Sequence, residues 1–211
     1  MRINKKKIVE KVLKNEPISV NEIKILLTSK WGQFKSIGIK AVNNGNYKHL
    51  HNEVKKLTND KNSIIASDAL DCIAEHDKKM AEKIAIKKIE SANRYLQASS
   101  LFILGNSRNV KYFSLIKRKE IKYRNNFWRK ICFEEAKYLL KENIEYIFEI
   151  IDILFKSKNY HVHCSALNTL NYLYDNKNKS IIKNALIKFK RQKKNIPRAV
   201  STTLERVLAD M

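Results

Sequence analysis

One spacing limits what this chain can fold into. A large apolar residue that follows a small or polar one recurs at Val42 (IKAVNN), Leu70 (DALDCI), Leu101 (SSLFIL), Phe133 (ICFEEA), Leu167 (SALNTL) and Leu204 (TTLERV). Successive anchors are 28, 31, 32, 34 and 37 residues apart. Five residues ahead of them stand Ile37, Ile65, Leu96, Trp128 and Val162, with Ala199 a weaker member in the last copy. The clearest copy, Asn159–Asp175, places Val162, Ala166, Leu167, Leu170 and Leu173 at three- and four-residue steps, the period of a helix. Its apolar arc is wide, so the helix is expected to be covered on more than one side. A drifting period of this size is what stacked helical hairpins produce, since one hairpin cannot bury both of its apolar faces.

The small and aliphatic residues of the second helix in each copy resemble HEAT repeats. The resemblance covers nearly the whole chain and implies an all-α fold: a right-handed α-solenoid of about six antiparallel helical hairpins with an N-terminal capping helix. Residues 1–211 are expected to form a single domain, because no linker is long or polar enough to divide them. Second helices, richer in Ala, Ser and Cys, are expected to line a concave side, and the more amphipathic first helices a convex one.

The expected elements are a cap over 3–14, then helix pairs 19–29 with 33–43, 47–58 with 63–75, 78–90 with 94–104, 108–119 with 125–141, 143–157 with 160–174, and 179–193 with 197–209. Ser19 and Glu22 read as a capping box, with Ile18 and Ile23 as its staple. Asp77 reads as a cap, Gly105 as a helix stop and Pro197 as a first-turn residue. With only four glycines and two prolines there are few breakers and no glycine-rich phosphate loop, and alternating strand patterns are missing.

Charge restricts the partner. The chain carries 43 basic and 21 acidic residues, a net charge of +22, which favours an acidic protein, nucleic acid or anionic surface. Its Lys, Asn and Ile content is what an AT-rich gene encodes, yet such a bias also raises Glu, and here the acids stay few. Two segments concentrate the excess. Residues 106–130 hold Arg108, Lys111, Lys117, Arg118, Lys119, Lys122, Arg124, Arg129 and Lys130 against Glu120 alone, with Tyr112, Phe113, Tyr123, Phe127 and Trp128 interleaved. Residues 177–198 hold Lys177, Lys179, Lys183, Lys188, Lys190, Arg191, Lys193, Lys194 and Arg198 with no acid. Each runs from a first helix through the turn into a second helix, so both are expected on one edge, beside helix N-termini that attract anions. The binding residues expected there are Lys117, Arg118, Lys119, Lys122, Arg124, Arg129, Lys130, Lys190, Arg191, Lys193, Lys194 and Arg198. The plainer reading of both segments is a solvated edge with snorkelling lysines. The stripe Glu142, Glu145, Glu149 and Asp152, opposite Ile147, Ile151, Leu154 and Phe155, reads as a solvated outer face.

No catalytic constellation is present. Cys72, Cys132 and Cys164 lack a disulfide spacing and read as buried thiols of a reducing compartment. His49 with His51 and His161 with His163 are two residues apart, and side chains so spaced on a helix diverge by about 200°, so neither pair reads as a metal site. No cofactor is expected. Trp128 occupies an apolar slot and reads as core, and Trp31 reads as a packing plug. The run YIFEIIDILF is broken by Glu149 and Asp152 and falls short of a membrane span. With no signal-length apolar stretch at the start, the protein is expected to be soluble, cytoplasmic and monomeric when free.

The expected function is a non-enzymatic binding or scaffold protein that recognises an acidic protein or a nucleic acid through its concave face and basic edge. A cognate-partner inhibitor, as some bacterial immunity proteins are, is one such form. The alternative is a nucleic-acid-processing enzyme. FWRKICF at 127–133 is loosely similar to the basic, Trp-bearing second helices of the HEAT-like alkylpurine DNA glycosylases, whose concave site implies an acid beside aromatics. Asp68, Asp71, Glu134 and Glu135 stand on second helices, but the further tryptophans of that family have no counterpart here, and no catalytic residue is carried over.

Overall fold

The computed structural model describes residues 5–45, 47–123, 125–193 and 195–211. Among the described residues there are thirteen α-helices and no strand. They run α1 Lys5–Leu13, α2 Val20–Leu27, α3 Gly32–Gly45, α4 His51–Leu57, α5 Ser63–His76, α6 Lys78–Lys88, α7 Arg94–Asn106, α8 Phe113–Glu120, α9 Phe127–Lys141, α10 Glu145–Lys156, α11 Tyr160–Tyr172, α12 Lys179–Gln192 and α13 Arg198–Asp210, with short 3₁₀ turns ahead of α4 and α8 and after α8. Every helix expected from the sequence is present, most within two residues of its expected ends. The chain forms two compact units, Met1–Ile103 and Leu104–Met211. The division falls inside α7 and not at a linker.

In the first unit α1 packs on α2 and α3, α2 on α3, α4 on α5, and α5 on α6, while α2 also meets α4 and α3 meets α5. The second unit repeats the scheme. α9 packs on α8, α10 and α11; α11 on α10 and α13; and α12 on α10 and α13. Within each unit, then, helices pair along the chain, and like members of successive pairs lie side by side. The anchors are what these pairs close upon: Val42, Leu70, Leu101, Phe133 and Leu167 are fully buried and Leu204 is 1% exposed. The second unit's core gathers Ile131, Leu139, Ile147, Ile150, Leu154, Leu167, Leu170, Ile182, Leu186, Phe189 and Leu204, with Trp128 packed against its margin.

The starts of the second helices share one device. Asn62 accepts from the backbone N–H groups of Ile64 and Ile65, Asn93 from Tyr95 and Leu96, Asn126 from Arg129 and Asn159 from His161. Each satisfies donors that the first helical turn leaves without an intrahelical partner. Two residues earlier an oxygen-bearing side chain fastens the turn: Asp60 accepts from Asn62 N–H, Ser91 from Asn93 and Ser157 from Asn159. The expected capping box at Ser19 and Glu22 is complete in both directions, and Asp77 caps α6.

Some local expectations change. Gly105 does not stop α7; it lies inside it. Its hydrogen faces α9, where a Cβ would come 3.0 Å from Ala136 Cα and 3.1 Å from Leu139 Cδ1. The left-handed residue after the helix is Arg108, at φ 55°. Pro197 caps α13 from outside the helix. Trp31 is not a plug: it is 67% exposed, because it sits ahead of α3 with its N–H given to Ser29 Oγ. Cys72 and Cys132 are buried and Cys164 is half-buried, all three as free thiols. Burial pushes the Cys72 thiol up to about 11 and that of Cys132 higher still. No described helix is long and apolar enough to cross a membrane.

Candidate functional site

The basic residues of the second unit fall into two groups, those spent on carboxylates of the fold and those held out to solvent. Arg108 donates to the Leu139 carbonyl at 2.9 Å and to Glu142 at 3.2 Å. Lys177 donates to the other oxygen of Glu142, and these contacts hold that carboxyl below its usual range, with Lys177 the larger cause. Lys141 lies 4.1 Å from the centre of the Phe113 ring. Lys130, expected on the free edge, donates instead to Glu149 at 2.6 Å. Burial works against its charge, but the Glu149 carboxylate outweighs burial and raises its pKa.

Helix α12 belongs to the second group. Ile182, Leu186 and Phe189 fix its inward face. Lys179 and Lys183 are one turn apart, and Lys190 returns to the same stripe two turns later. Lys179, Lys183, Lys188, Lys190, Arg191 and Arg198 are exposed, Lys193 is half-buried, and none of them is in an ion pair among the described residues. Lys188 reaches over the Phe155 ring at 6.0 Å. Part of this charge has a local use, since Lys190 and Arg191 sit in the last turn, where cations complement the helix dipole. Lys179 and Lys183 have no such role; Lys179 stands at the opposite end, where the dipole disfavours it, and Lys183 one turn on.

At the end of α8, Lys117, Arg118 and Lys122 are exposed and, among the described residues, are in no ion pair. Lys122 and Arg129 flank the Tyr123 ring, at 5.9 and 4.7 Å from its centre, and Tyr123 itself stacks on Phe133. Lys119 is half-buried. The side chains of Arg124 and Lys194 lie outside the described residues. Two basic segments, α8 into α9 and α12 into α13, are thus exposed. Between them in sequence runs α10, which packs on α9 and α12.

Sequence reasoning missed a polar cluster on α9. Lys137 is 7% exposed and Glu134 is 1% exposed. Lys137 Nζ donates to Glu120 at 2.7 Å and stands 2.9 Å from Glu134 Oε2. The signal was present: Glu120 is the lone acid of a basic segment, and Glu134 with Lys137 has the i,i+3 spacing of a helix pair. Burial, then the hydrogen bond with Glu120, pushes the Glu134 carboxyl up to about 7 against the pull of Lys137. Lys137 stays charged, since its two carboxylates outweigh its burial. The neighbouring Glu135 turns toward α11, where its link is the Thr169 hydroxyl, and burial raises it to about 7.

The histidine pairs diverge as helical geometry requires. His49 and His161 are exposed, and His51 and His163 are buried. His163 Nε2 lies 2.8 Å from the Ser157 carbonyl and its ring meets Phe189 edge-on, so it is a packing residue of α11. Among the described residues no three His, Cys, Asp or Glu side chains gather as metal ligands. In the first unit, Ser36 donates to Asp68, Ser67 and Ser99 share a hydrogen bond, and Ser99 donates to Asp71. Desolvation, with Asp68 and Glu75 beside it, lifts the Asp71 carboxyl to about 6. Compared with protein-family models, curated proteins and solved structures, the chain matched none.

Proposed function

We propose that this protein is a non-enzymatic binding module, a helical-repeat solenoid of the HEAT-like kind, that holds an acidic macromolecule against the basic edge of its second unit. The observation that carries the reading is α12: its exposed cations, Lys179 among them at the unfavourable end of the helix, are matched by no acid among the described residues. Uncompensated like charge on one helix costs stability, and an anionic partner turns that cost into binding and faster encounter. Lys117, Arg118, Lys122 and Arg129 extend the surface, and their aromatic neighbour Tyr123 suits a ligand with planar groups.

The test is a salt titration of binding to duplex DNA, single-stranded RNA and an acidic protein. Lys179→Glu/Lys183→Glu/Lys190→Glu is compared with a control of equal charge change, Lys55→Glu/Lys56→Glu/Lys61→Glu, at exposed positions of the first unit. Loss of three phosphate contacts flattens the slope of log K against log salt by about 2 to 3. Equal loss in both variants would mean net charge alone binds, and the edge would be only a solvated face. Whichever ligand retains affinity at physiological salt identifies the partner class.

A second reading has one observation in its favour. Glu135 is a proton-holding carboxyl near neutrality on a second helix, as a nucleic-acid-processing enzyme similar to the alkylpurine DNA glycosylases would require. Base release from alkylated DNA that disappears in Glu135→Gln would establish it.

A further inference from the structure

In the second unit α9, α11 and α13 begin at one level. Glu135 of α9 is tied to Thr169 of α11, and Cys164, Asn168 and Asn171 of α11 meet Thr203, Arg206 and Asp210 of α13. The pairing offset is 34 residues from α9 to α11 and 38 or 39 from α11 to α13. Carried back to the helix starts, these offsets set Phe127 level with His161 and Tyr160 level with Arg198. At roughly 10 Å per packed helix, the three starts span about 20 Å. Packing at these starts is done by Trp128 and Val162, which close on the core. Phe127 and Tyr160 are turned outward instead, 37% and 45% exposed. His161 is exposed too, and its ring centre lies 3.9 Å from that of Tyr160, a partial stack. Exposed apolar residues scattered singly are ordinary, but a level row of them marks an interaction surface.

We propose that the partner at this edge is a single-stranded nucleic acid, with bases stacked on Phe127 and on the Tyr160–His161 pair and phosphates held by Arg129, Lys158 and Arg198. This rests on the edge being an anion-binding surface, and it names the anion. Charge fits: Lys158 and Arg198 are exposed, and the segments 121–130, 157–161 and 193–199 that form these starts contain no Asp or Glu. The backbone N–H groups are not the attraction, because Asn126 and Asn159 already accept from them; side chains make the surface. Every base has a flat π face, so stacking on aromatic side chains beside cations holds a strand without reading its sequence. An acidic protein would neutralise the cations and leave the rings unused. A duplex stacks its bases on one another and offers this row only phosphates. In the first unit Trp31 and Ile64 are exposed at the starts of α3 and α5, but the turns there carry Asp60 and Glu90, so the complementarity is confined to the second unit.

The experiment measures binding of the full chain to four anionic probes: an oligothymidylate of about 12 nucleotides, an abasic phosphodiester strand of the same length, the oligothymidylate paired with its complement, and polyglutamate. The oligothymidylate should bind on the order of tenfold more tightly than the abasic strand. Tyr160→Leu and Phe127→Leu keep apolar bulk at the helix starts; each should weaken that binding on the order of tenfold and leave its salt slope unchanged, since no charge is lost. Trp31→Leu, in the first unit, should change neither. Tyr160→Trp should keep the affinity, and the emission its new indole adds should be quenched by the oligothymidylate and not by the abasic strand. If the abasic strand, the duplex or polyglutamate binds as tightly as the oligothymidylate, or if both leucine variants keep full affinity, the stacking surface is overturned while the basic edge stands. If no probe binds, the reading of the edge fails and this inference with it.

Discussion

At Gly105 two residue-scale effects oppose one another. Replacing a helical glycine with alanine gains up to about 1 kcal/mol of helix propensity. Here the added methyl would meet Ala136 Cα at 3.0 Å, a backbone atom in the middle of α9 that cannot step aside cheaply. Overpacking of this kind costs about 1 to 3 kcal/mol, so Gly105→Ala should lower the denaturant midpoint without changing the slope. Glu135 gives a prediction of opposite origin. Its folded carboxyl keeps a proton up to about 7, while 4.5 is the ordinary value that the unfolded chain regains. Between those values the native state binds more protons than the unfolded one. The resulting stability is fully present below the lower value and is lost as pH rises through the upper one. Urea midpoints should therefore fall across this window, and Glu135→Gln should flatten the fall. Midpoints that rise across it in both proteins would show that Glu135 is ionised in the fold.

At the scale of elements, helices were legible because burial and periodicity agree. Each anchor that the spacing singled out is buried, since a large side chain beside small ones is where second helices approach. The turns were less legible. Asn62, Asn93 and Asn159 stand eight residues ahead of Leu70, Leu101 and Leu167, and Asn126 seven ahead of Phe133. In a chain this rich in asparagine the recurrence hides among others, and only the hydrogen bonds separate caps from bystanders. Asn159→Ala should cost about 1 kcal/mol and Asn159→Asp close to nothing, because a carboxylate caps equally well and meets the positive end of the dipole. Thermal melts of the two variants decide it. Equal losses would mean that the packing of His163 and not the cap fixes the start of α11. The candidate site was legible in composition but not in detail. Lys130 reads from sequence as more basic surface, yet it is spent on Glu149, and the tie of Lys137 to Glu120 went unread, because pairings across helices depend on which faces meet.

For the whole molecule, a net charge of +22 is a self-repulsion that the fold must carry. Screening should relieve it: raising monovalent salt from low levels to about 0.15 M, where the Debye length falls to about 8 Å, should raise the melting temperature. A polyanion at the same ionic strength should raise it further by binding only the native state. The Lys179, Lys183 and Lys190 reversal should reduce the second effect and leave the first nearly intact. Stabilisation by salt with none from any polyanion would separate charge from binding and count against the edge.

The two tryptophans supply a means of watching the two units one at a time. Trp31 belongs to the first unit and is 67% exposed, whereas Trp128 belongs to the second and is packed at the margin of its core. Indole emission shifts to shorter wavelength as water is excluded, so the native spectrum should be the sum of a red and a blue component. In Trp31→Phe the remaining light comes from the second unit alone, and in Trp128→Phe from the first. Denaturation curves of the two variants that superimpose would describe a single cooperative transition. Curves that separate would show residues 1–103 and 104–211 letting go at different points, with α7 the helix in which one transition gives way to the other.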